Sequence, residues 1–381
     1  MITQLSIQHF KAIASATIPL GPITVLVGPN DSGKSTILQA LMALSRCADP
    51  ARFNVEQVLE CPPSVVATRG ETLPNIEITA EGMARLGSGG KEFPYLYVTR
   101  LSSQRNVFAG ESLAWDGKPI LAAVLGGHRT IHETSNRTEG WVGATTELSL
   151  LAYEPSKRNG QMTPSFAVAN DLGATLLRLD ARAIARPAPL DAKILPDGSG
   201  VVSIVDDLLT SGIGDEQIRR VNEVLRKLSP HVKGVGAKRH PASNGKELHF
   251  VLQSGDVIPA SQMSDGIVLA AALVVISLGS GNRRLLIEEP ENGLHPRQLK
   301  VVADAIRSIA STQGAQVVLT THSPLLLNHF AAEEVLLVIR DQAGVRVQRM
   351  SEARGLDDLA SEMGLGELWY NVGDSNLARP A

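Results

Sequence analysis

Apolar and polar positions alternate over residues 2–10 and again over 14–20, with a turn near Lys11, and this rhythm predicts a β-hairpin. An unbroken apolar run, Ile23-Thr24-Val25-Leu26-Val27, predicts a short buried strand, and helical spacing follows from residue 35 to about 46. Between about 50 and 170 the chain is rich in Pro, Gly and β-branched residues. Strands are expected there at 76–79, 95–99 and 146–150, and 126–140 reads as a polar loop. From about 172 to 230 the spacing turns helical, through Leu172, Leu176, Leu179 and Ile184, then over 201–209 and 218–228. After 247 the pattern predicts strands at 248–252, 284–288, 316–321 and 334–340, with an apolar helix at 267–278 and a hairpin turn at Asp341-Gln342-Ala343-Gly344.

These elements predict an α/β protein with a mixed sheet, a β-rich lobe and a compact helical lid. The expected divisions are 1–171, 172–246 and 247–381. No heptad pattern is sustained between Ser35 and Ser264, so the inserted segment is expected to be compact and not a coiled-coil arm.

Composition narrows the function. The 381 residues suffice for two or three lobes, and 43% hydrophobic with 20% charged residues is the balance of a folded chain. A net charge of −3 excludes a global basic field, so any nucleic-acid contact must use a local patch. Arg178, Arg182 and Arg186 recur at spacing four, and Lys233, Lys238, Arg239, His240 and Lys246 form a second basic run. Either group can bind phosphates or simply face solvent. Cys47 and Cys61 suit a reducing compartment and lack metal-ligand spacing, so both read as structural or incidental. The start of the chain shows no basic-then-apolar leader, and 267–278 is about half a membrane span. A cytoplasmic protein without membrane contact is expected.

The chemistry begins directly after the strand at 23–27. Gly28-Pro29-Asn30-Asp31-Ser32-Gly33-Lys34-Ser35-Thr36 fits the phosphate-loop pattern G-x-x-x-x-G-K-[ST]. Glycines free the backbone so that its N–H groups can wrap a triphosphate. Lys34 and the positive helix end neutralise its charge, and Ser35 offers a hydroxyl to magnesium. The strand at 284–288 ends in Glu288 and Glu289, just ahead of Pro290. The first acid is expected to hold magnesium and the second to orient and deprotonate the attacking water. His322 closes the strand at 316–321, on the rim where a parallel sheet places its ligand. Ser264 suits a helix N-cap, with Asp265 in the first turn and Gly266 next.

Taken in order, these motifs resemble the ATP-binding-cassette class of P-loop ATPases. The phosphate loop is followed by a signature segment, Ser264-Asp265-Gly266. The acidic strand, a D-loop at Asn292-Gly293-Leu294-His295-Pro296, and His322 complete the set. The opening Phe10-Lys11, the segment Glu288-Glu289-Pro290-Glu291-Asn292-Gly293-Leu294-His295-Pro296 and the Ser-Asp-Gly signature are similar to the RecF/SMC/OLD-like branch, often described as OLD-family or "AAA" ATP-binding proteins. The resemblance covers roughly 1–46 and 247–330.

It implies ATP and Mg2+ as cofactors and a head-to-tail homodimer or higher homo-oligomer. Each nucleotide would lie between one chain's phosphate loop and the other's Ser264-Asp265-Gly266. It also implies control of a separately encoded effector or sensing of nucleic acid, in anti-phage defence or DNA repair. Gln104 is the candidate for a γ-phosphate-sensing glutamine, and Lys11 either approaches phosphate or is solvated. OLD-family nucleases carry a metal-binding Toprim domain after the last motif. Too little chain follows His322 for one, and Asp357-Asp358 lies too close to be its site, so a self-contained nuclease is not expected. The competing function is the ATPase subunit of a transporter, against which the signature and the long interval from Ser35 to Ser264 both speak.

Overall fold

Two units share the chain, each assembled from separate segments. One comprises Met1–Gly21, Gly28–Ala174 and Leu336–Gln348; the other comprises Pro22–Val27, Thr175–Val335 and Arg349–Ala381. The computed structural model describes residues 1–377 apart from 53, 68–73, 88–89, 125–128, 133–137, 142–148, 150, 152–156, 159–160, 190, 211–214, 242, 280–283, 343 and 354–362.

In the first unit the alternation at the N-terminus becomes the expected hairpin. Strands Ile2–Phe10 and Ile13–Pro19 pair antiparallel, Phe10 opposite Ile13, with Lys11 at φ 53° in the turn. Ile2, Leu5 and Ile7 are fully buried. The hairpin opens an eight-stranded antiparallel sheet that continues through Ile76–Arg85, Glu92–Leu101, Phe108–Trp115, Lys118–Val124, Arg129–His132 and Thr138–Trp141. The last two strands correct the polar loop expected at 126–140, since Arg129 pairs with Trp141 and His132 with Thr138. A terminal hairpin needs only backbone partners, so little apolar alternation marks it. The strand expected at 146–150 lies, apart from Ser149, outside the described residues.

Helix Lys34–Cys47 buries Ile37, Leu38, Leu41, Leu44 and Cys47. Beyond it lies a buried carboxylate with ample donors: Glu111 accepts from the Tyr97 hydroxyl at 2.6 Å, the Ser149 hydroxyl at 2.7 Å and the Leu151 N–H at 3.2 Å. Burial, with Glu111 adding, pushes the Cys47 thiol far above the usual thiol range. Iodoacetamide should therefore modify the part-exposed Cys61 first and leave Cys47 intact until the chain unfolds. Peptide mass spectrometry reads both sites, and rapid labelling of native Cys47 would contradict this packing.

The second unit is built on three parallel strands in register: Arg284–Glu288, Gln316–Thr320 and Ile23–Val27. Glu288 stands level with Thr320, and Thr320 with Leu26, so the carboxyl ends of all three finish together. Every residue of the last two strands is buried, as expected where parallel strands are covered on both faces. Strand Ala174–Leu177 lies beside the acidic strand. Helix Asp265–Gly279 is buried from Val268 to Ile276 and packs on Pro296–Gln313, Val201–Thr210 and Asp215–Leu228.

The stretch expected to be helical from 172 to 230 thus also holds a strand. The basic run from Lys233 forms strand Val232–Arg239, paired with Lys246–Leu252, which in turn pairs with Val257–Pro259. Helix Leu365–Val372 docks on Pro324–Leu327, where the Gly366 N–H donates to Asn328 Oδ1 at 2.6 Å. Asp357 and Asp358 lie outside the described residues. Among the described residues no helix is long and apolar enough to cross a membrane.

Candidate functional site

The phosphate loop occupies the first unit, between the end of strand Ile23–Val27 and helix Lys34–Cys47. Gly28 (φ 147°), Asp31 (φ 61°) and Gly33 (φ 108°) all take left-handed backbone. Gly33 is the N-cap and no side chain caps the helix, so its positive end faces the loop. Lys34 is buried, with Nζ donating to the carbonyls of Gly28 at 2.8 Å and Pro29 at 2.7 Å, which arches the ammonium over the loop. Ser35 is exposed, and the Ser32 hydroxyl is buried without a partner in the structure described. An uncapped helix end, an arched lysine and a free hydroxyl fit a triphosphate with its divalent cation. Lys11 is half-buried, and its Nζ donates to Gln39 Oε1 at 2.6 Å. Gln104 lies in an exposed bend between strands Glu92–Leu101 and Phe108–Trp115.

The acids gather in the second unit. Glu288 is mostly buried; Oε2 accepts from Arg178 Nε, and Oε1 is buried without a hydrogen-bond partner among the described residues. Hydrogen bonding to Glu288 holds the Arg178 guanidinium above its ordinary pKa, with the charges of Glu288 and Glu289 adding and burial opposing. Glu289 has φ 45°, a left-handed conformation that few non-glycine residues adopt. Its N–H donates to the Thr320 carbonyl at 3.0 Å, which turns the side chain out at the strand ends. Glu289 Oε2 accepts from Asn292 Nδ2 at 2.7 Å, and Oε1 lies 3.6 Å from His322 Nε2. Glu291 fixes the histidine from below: its Oε1 accepts from the Thr321 hydroxyl at 2.6 Å and the His322 N–H at 2.7 Å.

Comparison with known proteins matches stretches of the chain to ATPases. Residues 1–81 match the family model described as "AAA ATPase domain", and 152–328 match "AAA domain, putative AbiEii toxin, Type IV TA system". The chain is 23% identical over 391 aligned positions to an OLD nuclease of Thermus scotoductus, an alignment covering 96% of this chain and 68% of that one. Its fold matches an SMC head bound to the C-terminal winged-helix domain of ScpA, at TM-score 0.55 and 16% identity over 91% of this chain and 97% of that one. A second SMC head, with an extended coiled coil and bound to the C-terminal domain of ScpA from Pyrococcus furiosus, matches at TM-score 0.54 and 15% identity over 94% and 98%. Two stretches of the chain thus match ATPase family models, and its fold is similar to that of SMC heads.

In the second unit Glu288, Glu289 and His322 come together, with Asn292 and Glu291 as hydrogen-bond partners. Asn292 and Glu291 fell within the quoted acidic segment, so their position was visible while their contacts were not. His295, expected in the D-loop, caps helix Pro296–Gln313. Its Nδ1 accepts from the Arg297 N–H at 3.3 Å, while Gln298 returns to the His295 N–H at 3.1 Å. Ser264 and Asp265 are exposed at the start of helix Asp265–Gly279, the Ser264 carbonyl accepting from the N–H groups of Ile267 and Val268. Gly266 is buried, with Gln298 packed on it. Arg178, Arg182 and Arg186 do not share a helix face. Arg178 follows a strand, and the only helical turn between them, Ala181–Ile184, is four residues long. In the second basic run Lys233, Lys238 and Arg239 are exposed on a strand, while Lys246 pairs with Asp206.

Proposed function

We propose that this chain is an ATPase working as a nucleotide-operated switch that closes head to tail on a second copy of itself. Residues 28–36 take the triphosphate, with Ser35 and Glu288 facing magnesium, Glu289 as general base and His322 beside the γ-phosphate. When bound, magnesium supplies charge neutralisation at the β- and γ-phosphates. The grouping of Glu288, Glu289, Asn292 and His322 at the level ends of parallel strands carries this proposal. Asn292 holds the Glu289 carboxylate, and its partial exposure leaves room for a water that it can orient and deprotonate.

The exposed Ser264 and Asp265 at a helix N-terminus support the second half of the proposal, since that end offers a positive dipole to the γ-phosphate of another copy. The output would be control of a separately encoded effector or response to nucleic acid, in anti-phage defence or DNA repair. The likeness to an OLD nuclease and to the AbiEii-type model favours that setting. None of the relatives named above is a transporter subunit.

Sedimentation of the Glu289→Gln variant with Mg2+ and ATP tests the clamp. Its mass should double on adding ATP and return to the starting value on removing it. Adding Ser264→Arg should abolish the doubling while a fluorescent ATP analogue still binds. An ATP-independent mass in Glu289→Gln would rule the clamp out.

A further inference from the structure

The carboxylate proposed to face magnesium already has a cation. Arg178 Nε sits on Glu288 Oε2, while Oε1 is buried without a partner among the described residues. Leaving a buried carboxylate oxygen unpaired is costly, and a neighbouring positive charge offsets that cost. Exposure differs sharply between the two, 12% for the Glu288 side chain and 58% for Arg178.

The arginine backbone is fixed on both sides. It leaves strand Ala174–Leu177 beside the acidic strand, its N–H donates to the Pro196 carbonyl at 2.7 Å, and the Asp180 N–H donates to the Asp197 carbonyl at 3.0 Å. Asp180 also caps helix Ala181–Ile184 through the Ala183 N–H at 2.9 Å. The anchor is thus rigid, and only the long side chain is free to leave.

We propose that Arg178 is the counter-ion that holds Glu288 until a divalent cation replaces it, so that Arg178 sets the cation concentration at which bound nucleotide acquires its metal. This rests on the metal-facing role of Glu288 given above. A hard cation such as Mg2+ requires oxygen lone pairs without competing donors, and a guanidinium left on the same carboxylate would repel it. Arg178 therefore acts through Glu288, as a positioning residue. The basic spacing at 178, 182 and 186 thereby acquires a different meaning, because its first member faces an acid and not a polyanion.

The test is a Mn2+ titration of full-length protein saturated with metal-free AMP-PNP, with free Mn2+ read by EPR. Arg178→Gln should lower the half-saturating Mn2+ concentration about threefold to fivefold, the scale of a partly exposed ion pair. Arg178→Lys should shift it the same way by less, and metal-free AMP-PNP affinity should not change in either variant. In a Glu288→Gln background the Arg178 substitution should have no further effect, because the pair is already broken. An unchanged or raised Mn2+ requirement in Arg178→Gln and Arg178→Lys overturns the proposal. So does weakened metal-free nucleotide binding, which would place Arg178 on the phosphates. Failure of the underlying assignment reads differently: Glu288→Gln alone would then leave the Mn2+ requirement at the wild-type value.

Discussion

Glu289→Gln should lower ATP turnover by roughly 10²- to 10⁴-fold, the range for losing a positioned general base, while leaving ATP affinity unchanged. The substitution keeps the shape of the side chain and removes its ability to take a proton. Its neighbours explain why the loss should fall on turnover. Asn292 donates to Oε2 at 2.7 Å and fixes the carboxylate at the strand ends, with His322 standing 3.6 Å from Oε1. The strained φ of 45° at Glu289 is secured by two contacts to Thr320, at 3.0 Å to its carbonyl and 3.3 Å to its hydroxyl. A glutamine would keep those backbone bonds and the fold with them. Single-turnover phosphate release, beside equilibrium binding of a fluorescent ATP analogue, measures both quantities. A loss of less than tenfold would remove Glu289 from the base role.

Much of the phosphate loop and of the acidic cluster was legible because the chemistry of each is local in sequence. Residues 28–36 are one continuous loop, and Glu288 through His295 are one strand end with the turn after it. The two buried strands that frame the site read as short apolar runs, which a parallel sheet produces and flanking glycine and proline delimit. What stayed hidden depends on partners distant along the chain. Strand Ala174–Leu177 has the same apolar content as the first turn of a helix, and only its place beside Arg284–Glu288 makes it extended. That one difference moved Arg178 from a presumed basic face onto Glu288.

The same limit explains strand Val232–Arg239. Its glycines and lysines carry no clear alternation, and its pairing with Lys246–Leu252 supplies the order that its own sequence lacks. Strands Arg129–His132 and Thr138–Trp141 likewise rest on pairing within a polar, turn-rich stretch. At Lys11 the turn at φ 53° brings the ammonium to Gln39, a partner that the order of motifs does not reveal.

Gly28→Ala should be the most damaging single methyl in the protein's phosphate loop. Gly28 has φ 147°, and an added Cβ would lie 2.0 Å from the Val338 carbonyl oxygen and 3.1 Å from its carbon. Neither atom can yield cheaply, since both are backbone of the buried strand Val335–Asp341. The backbone conformation costs an L-residue about 1–3 kcal/mol. Overpacking against a rigid neighbour adds about 1–3 kcal/mol. Together these approach the lower end of a domain's whole stability of about 5–15 kcal/mol, so a melting temperature roughly 10 °C lower is expected.

Gly33→Ala separates the two contributions. At φ 108° it bears the same kind of backbone strain, but its Cβ would meet only side-chain carbons of Ile13 and Val345, at 3.5 Å. It should therefore lose about half as much stability. Nucleotide binding should fall in both variants, because each distorts the arc of N–H groups on which a triphosphate depends. Calorimetric melting with and without ATP reads stability and binding in one experiment. Equal melting temperatures for the two variants would place the Val338 carbonyl elsewhere than against Gly28.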